Sequence, residues 1–262
     1  MAENKIVTLM SDFGLSDVYV GVMKGAIAQI NPTLHAIDLT HQIPPQNIAA
    51  GRFCLMNAYP YFPSGTVHVA VVDPGVGSNR RAIAIQLSGG YLVGPDNGLF
   101  GGVLSHSPAV AAIELTNPNY WRPGATSSTF HGRDIFAPVG AYLASGVSLE
   151  QLGRTIDPTT LVKLSIPVCT KTNAGVLGCI QYIDHFGNLI TNIPGSEIEG
   201  KTWSVAVAGL LIQGSQTYSH SELGGVVALI GSHGWVEIAI NGGNAQSQLH
   251  LEWGAKVELR YD

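Results

Sequence analysis

The sequence is poor in charge. Only 12% of its 262 residues are Asp, Glu, Lys or Arg, against roughly 25% in a typical soluble domain. The 13 basic and 18 acidic residues give a formal net charge of −5, and no run of basic residues occurs. Because nucleic acid is bound through a basic face, we expect no nucleic-acid partner. The low charge also favours surface buried between subunits, and the 45% of hydrophobic residues excludes a disordered chain.

Cysteines and long apolar runs are also scarce. The three cysteines, Cys54, Cys169 and Cys179, lie in apolar surroundings, and their odd number predicts free thiols in a reducing compartment. No apolar run reaches the ~18 residues of a membrane span. The first 20 residues lack the basic, apolar and small-residue pattern of a secretory signal. We therefore expect a soluble, cytoplasmic protein without a membrane partner.

Several common chemical motifs are missing. The sequence has no GxxxxGK[ST] phosphate loop, no HExxH zinc pair and no GxSxG nucleophile elbow. Gly75-Val76-Gly77 begins like a dinucleotide fingerprint, but Arg80 occupies its third glycine position and the next segment is strand-like. No metal-ligand spacing occurs either. We expect neither a metal nor a cofactor.

The sequence pattern changes near residue 165, which predicts two domains, at residues 1–165 and 166–262. In the first part, strand-like runs alternate with segments of helical periodicity. Strands are predicted at residues 5–10, 34–39, 66–72, 82–87, 91–93 and 111–115, and helices at 19–30, 48–58, 99–104 and 135–143. This alternation predicts an α/β domain with a mainly parallel sheet flanked by helices.

In the second part the helical signal disappears. Short β-type runs occupy residues 175–182, 203–211, 226–230, 235–240 and 256–261, separated by Gly and Asn. In the last run Val257, Leu259 and Tyr261 alternate with charged residues, as in a strand with one buried face. The pattern predicts an all-β barrel or sandwich domain.

Carboxylates follow the first strand. In an open parallel sheet, ligands bind beyond the carboxyl ends of the strands, and Asp12 lies directly after the predicted strand 5–10. Its carboxylate could accept hydrogen bonds from a ribose diol, or it could cap the helix that follows. Asp17 lies near the start of that helix, where an acid is favoured by the helix dipole whether or not it binds a ligand.

The strand predicted at residues 66–72 also ends in a carboxylate. Asp73 follows this apolar run, and burying it costs free energy unless it is paired. Arg80, seven residues later, is close enough to pair with it, either as a structural ion pair or as a charged dyad in a crevice. His131 lies between Phe130 and Gly132 in a Ser/Thr-rich loop, where it is either structural or close to a ligand.

Two loops of the second part carry polar groups. Asp184, Phe186 and Asn188 interrupt a β-type run, and together they could recognise an amine and a stacked ring. In Gly231-Ser232-His233-Gly234, the Ser232 hydroxyl and backbone N–H groups could bind a carboxylate. Both segments are also typical of hairpin turns.

Six of these segments, in order along nearly the whole chain, resemble the S-adenosylmethionine (SAM) hydroxide adenosyltransferase family, relatives of the fluorinase and chlorinase. The segments are Ser11-Asp12-Phe13-Gly14, residues 73–80, Pro95-Asp96-Asn97-Gly98, Phe130-His131-Gly132-Arg133-Asp134, residues 183–188 and Gly231-Ser232-His233-Gly234. The resemblance implies two domains, a homotrimer whose sites lie between one subunit's N-terminal and a neighbour's C-terminal domain, and hydrolysis of SAM to adenosine and L-methionine. It assigns catalysis to Asp73, Arg80 and His131.

The resemblance also implies how the substrate is bound. It assigns the ribose hydroxyls to Asp12 and the methionine ammonium to Asp17 and Asp184. It assigns the methionine carboxylate to Ser232 and adenine to Phe186 and Asn188. Phe130 would form a wall beside the ribose. Two positions depart from the fluorinase, because His233 stands in place of an arginine and Gln46 in place of an aromatic residue. The carboxylate contact at His233 is therefore open.

The implied reaction needs no general acid. The sulfonium leaves as a neutral thioether, so the protein has to place and activate one water in line with the ribose C5′ carbon. We expect Arg80 to favour hydroxide character, and His131 and Asp73 to orient the water and share its proton. Two alternatives are a non-catalytic adenosine- or SAM-binding protein and a halide-dependent SAM adenosyltransferase.

Overall fold

The computed structural model describes residues 5–261, and the chain divides into two units between Leu164 and Ser165. Each unit encloses its own hydrophobic core, as expected of domains that could fold alone. Among the described residues, no helix combines the length and apolar character needed to cross a bilayer. Cys179 is buried and Cys54 and Cys169 are half-buried, all as free thiols.

The first unit is built on one sheet with helices packed against it. Its strands are β1 (Ile6–Ser11), β2 (His35–Thr40), β3 (Thr66–Val71), β4 (Ala82–Leu87), β5 (Gly90–Pro95), β6 (Ala111–Glu114) and β7 (Arg154–Ile156). Its α-helices are α1 (Tyr19–Ile30), α2 (Ile48–Ala58), α3 (Gly101–Leu104) and α4 (Ala137–Ala144). The predicted helix at 48–58 is confirmed, and the other predicted elements are found within a few residues.

This sheet is mixed, so the prediction of a mainly parallel sheet is wrong. Its strand order is β2-β1-β3-β5-β4-β6-β7. The pairs β1–β2, β1–β3 and β3–β5 are parallel, whereas β4–β5, β4–β6 and β6–β7 are antiparallel. The reason is local: β4 and β5 are joined by a short turn at residues 88–89, and a connection that short makes a hairpin rather than a parallel crossover.

Helices cover both faces of the central strands, which explains why every residue of β3 is buried. Gly140 of α4 lies against Val69 and Val7 on one face. Gly51 of α2 lies against Val72 and Met10 on the other. Because β1 and β3 run parallel with Ser11 opposite Val71, the segments after both strands leave the same edge of the sheet.

The second unit is a nearly closed antiparallel sheet. Its strands are β8 (Thr170–Thr172), β9 (Gly175–Ile183), β10 (Leu189–Pro194), β11 (Trp203–Val207), β12 (Leu210–Gln213), β13 (Val226–Ile230), β14 (Trp235–Ile240) and β15 (Lys256–Tyr261), with one short helix, α5 (Ala245–Leu249). The order is β12-β11-β15-β9-β10-β14-β13, with β8 on β9. A single bridge between Gly214 and Ala228 brings the two end strands together, which gives the predicted barrel-like form.

Two details of the second unit differ from expectation, whereas α1 spans the predicted residues. Residues 203–211 form a hairpin rather than one strand, because Ala208 and Gly209 adopt positive φ angles of 50° and 78°. Strand β10 was not predicted. Helix α1 begins at Tyr19 with Val18 at its N-cap position and no side-chain cap, so Asp17 precedes the helix.

Candidate functional site

A bidentate ion pair after β3 joins Asp73 and Arg80. Arg80 Nε lies 3.0 Å from both carboxylate oxygens of Asp73, and Nη2 lies 2.5 Å from Oδ2. The Asp73 side chain is only 4% exposed. Such a bidentate pair holds both groups in one geometry, and the Arg80 guanidinium also lies 5.3 Å from the centre of the Phe136 ring. The pairing expected from the sequence is therefore present.

His131 joins this pair through the same guanidinium. Arg80 Nη2 lies 2.8 Å from His131 Nδ1. Arginine carries only donors, so Nδ1 is the acceptor and a neutral imidazole carries its proton on Nε2. Burial, followed by the charge of Arg80, lowers the pKa of His131 below its ordinary value, although Asp73 and Asp134 act in the opposite direction. The three residues form one connected cluster with a neutral imidazole at pH 7.

Two glycines allow the loops of this cluster to approach each other. Gly77 has φ of +78°, and a Cβ added there would lie 2.4 Å from the backbone oxygen of Ser128. A Cβ on Gly132 would meet Phe130, Met23 and Phe13 at 3.2–3.3 Å. The segment after β3 thus packs directly on the loop that carries His131, which a side chain at Gly77 would prevent.

Asp12 lies on a turn fixed by buried polar groups. Ser11 Oγ lies 2.7 Å from His41 Nδ1, and Gly14 N donates to His41 O at 2.8 Å. One oxygen of Asp12 accepts a hydrogen bond from the backbone of Gln46 at 2.7 Å. Gln46 has a positive φ of 64°, which is uncommon for a non-glycine residue. The second oxygen of Asp12 is available for a ligand diol.

Phe130 connects the Asp12 turn with the His131 loop. Its ring packs edge-on against Phe13 at 5.6 Å and Tyr19 at 5.2 Å. Asp12, Asp73, Arg80, Phe130 and His131 are therefore gathered at one edge of the first unit. Asp17 lies exposed just before α1, beside this aromatic group.

In the second unit, Asp184 organises the turn between β9 and β10. Its Oδ1 accepts from the backbone N–H groups of Phe186 and Asn188, both at 2.9 Å, and its Oδ2 accepts from the Asn188 side-chain amide at 2.9 Å. This is the hairpin-turn role left open by the sequence. Oδ1 already accepts two hydrogen bonds, whereas Oδ2 accepts one and keeps capacity for a further donor such as a ligand ammonium.

A pocket of about 540 Å³ lies beside this turn. It is lined by Phe186, Asn188, Tyr218 and residues 240–243. The Phe186 ring is 70% exposed, whereas Asn188 is buried. An exposed ring beside a fixed amide suits a flat heterocycle that both stacks and forms hydrogen bonds.

The turn carrying Ser232 lies at the other end of β14. Gly234 N donates to Gly231 O at 2.9 Å, which leaves Ser232 exposed at the turn. His233 Nδ1 accepts from Trp235 N at 3.1 Å, and Nε2 lies 3.0 Å from Oε2 of the buried Glu237. Both ring nitrogens are thus occupied, and His233 is not arranged to replace an arginine as a carboxylate donor.

Glu237 connects this turn to the pocket. Tyr218 Oη donates to Glu237 Oε1 at 2.7 Å, and burial followed by the Glu237 carboxylate raises the pKa of Tyr218. Neither residue was predicted from the sequence. The available signal is one glutamate inside the otherwise apolar strand Trp235–Ile240, which is buried on both faces.

Two supporting residues of the first unit were also missed. The Asn97 amide donates to Val72 O at 2.8 Å, directly before Asp73. Asp134, buried three residues after His131, binds two arginines. Both belong to motifs noted in the sequence, but Val72 and Arg122, which bind them, lie 25 and 12 residues away, outside those motifs. Among the described residues, no group of three His, Cys, Asp or Glu side chains is arranged to hold a metal ion.

Comparison with known families matches both units. Residues 7–153 match the family model described as SAM hydroxide adenosyltransferase N-terminal domain. Residues 178–258 match that of the corresponding C-terminal domain. The two matches cover most of the chain and lie in the order of the two units.

Individual proteins agree with these matches. The chain is 39% identical over 260 residues to the (R)-S-adenosyl-L-methionine hydrolase of Salinispora arenicola, covering 99% of each chain. It is 28% identical to a fluorinase of an Actinoplanes strain, covering 98% of this chain and 97% of the other. A crystal structure of an uncharacterised conserved protein from Thermotoga maritima superimposes with a TM-score of 0.91 at 33% identity, covering 97% and 99% of the two chains.

Proposed function

Since this chain belongs to the SAM hydroxide adenosyltransferase family, we propose that it hydrolyses SAM to adenosine and L-methionine. Water attacks the ribose C5′ carbon in line with the sulfonium. The C5′–O bond forms, the C5′–S bond breaks with its electron pair leaving on sulfur, and one proton is released. Because the hydrolase relative is named for the (R) form of SAM, we propose the (R) sulfonium configuration here too.

The observation that carries this proposal is the connected cluster of Asp73, Arg80 and His131. It combines a fixed positive charge, a carboxylate and a neutral imidazole at one edge of the sheet. A guanidinium beside the water favours the hydroxide character that its oxygen gains as the proton is withdrawn. The leaving thioether is neutral, so no general acid is required. The reaction as written needs no cofactor.

The hydrogen bonds favour Asp73 over His131 as the proton acceptor. His131 Nδ1 is occupied by Arg80, which leaves Nε2 as an N–H donor. That donor can orient the water through one of its lone pairs. Asp73 receives N–H groups from Arg80 but keeps lone pairs for a further hydrogen bond. In this scheme Arg80 and His131 place the water, and Asp73 takes its proton.

The remaining substrate contacts are proposed from the resemblance to the family. Asp12 binds the ribose hydroxyls, Phe130 walls the ribose, and Asp17 and Asp184 bind the ammonium. Phe186 and Asn188 hold adenine in the pocket beside Asp184. Ser232 binds the carboxylate with backbone N–H groups, because both nitrogens of His233 are already engaged.

The test is direct. Purified protein is incubated with resolved (R)- and (S)-sulfonium SAM in halide-free buffer made with oxygen-18 water. We expect adenosine labelled at its 5′-oxygen and unlabelled methionine, formed faster from the (R) epimer. A folded protein that leaves both epimers unchanged, but binds SAM or adenosine tightly, would instead be a binding protein.

Adding chloride or fluoride tests the other alternative, a halide-dependent SAM adenosyltransferase. If halide addition yields 5′-halogenated deoxyadenosine at the expense of adenosine, the protein is a halide-dependent transferase. We expect adenosine in every buffer, with a rate independent of halide.

We further propose a cytoplasmic homotrimer in which each active site combines the first unit of one subunit with the second unit of a neighbour. The low charge of the chain supports burial between subunits, and three free thiols suit a reducing compartment. Light scattering should give three times the mass of one chain. Co-expression of Asp73→Asn with Asn188→Ala should recover activity in mixed trimers, because some sites then receive two intact units. Sites within single chains would recover none.

A further inference from the structure

Asp134 is a fully buried carboxylate to which the proposed chemistry gives no role. Its side chain has 0% exposure. Oδ1 accepts from Arg122 Nε at 2.5 Å and from Arg133 Nε at 2.7 Å, and Oδ2 accepts from Arg133 Nη2 at 2.9 Å and from Ser127 N at 2.8 Å. A buried carboxylate is tolerated only when it is paired and hydrogen-bonded, and these four donors meet that need.

These bonds close the loop of residues 122–134 at both ends and in its middle. Besides the side-chain bond, Arg122 N donates to Asp134 O at 2.8 Å. Ser127 binds the same carboxylate from the centre of the loop. Phe130 and His131 lie inside this closed segment. Its conformation therefore depends on one side chain that touches neither of the proposed reacting groups Asp73 and Arg80 in the bonds described.

Arg133 and the backbone extend this control to the two site residues. The Arg133 guanidinium lies 5.2 Å from the centre of the Phe130 ring. Directly after His131, the chain forms a π-helical turn, Gly132–Phe136, that contains Asp134. Such turns are rare and occur frequently at functional sites. Within this turn the Asp134 side chain is fully buried.

We infer that Asp134 is a positioning residue of the proposed hydrolysis: it clamps residues 122–134 so that His131 Nδ1 meets Arg80 and Phe130 closes the aromatic wall. The inference rests on the proposed function of His131. Asp134 acts through His131 and Phe130 and does not contact the reacting atoms.

The clamp also sets the charge around His131. The charged groups facing the imidazole are Arg80, Asp73 and Asp134. Asp134 raises the pKa of His131 against the larger effects of burial and Arg80. Replacing Asp134 by a neutral group removes this contribution and leaves two arginines without their partner. The pKa of His131 should then fall further.

The main variant is Asp134→Asn in the full-length protein. We expect kcat to fall by roughly 10- to 100-fold, because a displacement of about 1 Å at a reacting group costs up to that factor. KM should change less than kcat. In NMR, the His131 imidazole signals should titrate at lower pH than in the unchanged protein, which a general loss of packing would not produce.

A second variant keeps the inference testable if Asp134→Asn does not fold. Arg133→Gln removes two donors from a side chain that is 31% exposed, while Arg122 and Ser127 still hold the carboxylate. We expect a smaller loss of kcat, about threefold to tenfold, because the hydrogen bonds from Arg122 and Ser127 still hold the carboxylate. The His131 titration should not move to lower pH, because the Asp134 charge is retained.

Arg154→Gln is the matched control. It breaks an arginine–carboxylate pair with Glu114 in the same unit, on a side chain that is 72% exposed, and should leave kcat and the His131 titration unchanged. The inference is overturned by folded Asp134→Asn with unchanged kcat and titration, or, if that variant does not fold, by Arg133→Gln with unchanged kcat. If the unchanged protein hydrolyses no SAM, the proposed function fails, whereas the His131 titration still reports on the clamp.

Discussion

The two units stabilise the carboxylates of their candidate sites and cores in different ways. In the first unit, Asp73, Asp96 and Asp134 each pair with arginine. In the second, Asp184 accepts from backbone and side-chain amides, and Glu237 accepts from a phenol and an imidazole. Arginine cancels the negative charge and fixes its direction, whereas neutral donors stabilise the anion and leave its charge in place.

This difference suits two tasks in the proposed reaction. Withdrawal of the water's proton gives its oxygen hydroxide character, and a fixed arginine–carboxylate cluster such as that of the first unit stabilises it without rearranging. SAM itself carries a sulfonium and an ammonium, and negative charge that is not cancelled attracts such a cation. We therefore expect substitutions in the Asp73–Arg80–His131 cluster to change kcat, and those at Asp184 and Glu237 to change KM.

The largest expected effect is that of Asp73→Asn. The amide keeps an oxygen for Arg80 but cannot take a proton, so we expect kcat to fall by about 10³-fold, within the usual range for a general base. SAM affinity, measured by calorimetry, should change little.

Asp96→Asn is its control, because Asp96 is equally buried and also bound to an arginine, Arg81. It should lower the melting temperature and leave kcat of the folded protein unchanged. If Asp96→Asn lowered kcat as much as Asp73→Asn, pairing with arginine would be the common cause and the proposed role of Asp73 would fail.

The next largest effect is expected on the stability of the first unit in acid, which depends on His68. Burial lowers its pKa from 6.5 to about 4, and its Nδ1 lies 2.8 Å from Thr8 Oγ1. The folded state favours neutral His68, so its stability is complete above pH 6.5 and falls as the pH drops toward 4. The loss is roughly 3 kcal/mol, from 1.36 kcal/mol per pKa unit.

Hydrogen exchange measured between pH 7 and pH 4 can report the loss of stability in each unit separately. We expect protection of β1 and β3 to decrease more steeply than that of β10 and β14. In His68→Gln, which cannot titrate, the slope of the first unit should shrink. Equal slopes in the original protein and the variant would show that His68 does not govern the acid response.

The smallest effect is expected from Glu237→Gln. One of the two donors, Tyr218 or His233, then faces an amide N–H instead of an oxygen, and a lost hydrogen bond costs about 1–1.5 kcal/mol. We expect KM for SAM to rise about tenfold, the equivalent of 1.4 kcal/mol, with kcat within a factor of three. Steady-state kinetics separate the two constants. A fall in kcat at unchanged KM would contradict the division of tasks between the units.

Much of the fold could be predicted, because hydrophobic periodicity depends on nearby residues. The helix at 48–58 and the alternation in β15 follow from that signal. The mixed sheet could not be predicted from that signal, because the pairing of β4 with β5 and β6 depends on a turn and on distant partners. For the same reason, one apolar run was divided by the positive φ angles of Ala208 and Gly209.

The sequence by itself determined which groups are available: a carboxylate after each of two strands, an arginine seven residues from one of them, and a histidine between an aromatic residue and glycine. Only the tertiary structure decided which of these groups form hydrogen bonds with each other. Arg80 meets His131 across 51 residues. Asp134 binds Arg122, 12 residues away, and Tyr218 meets Glu237 across 19 residues. Residue type and spacing are local properties, whereas a hydrogen bond between distant residues exists only once the strands and loops that carry them have packed.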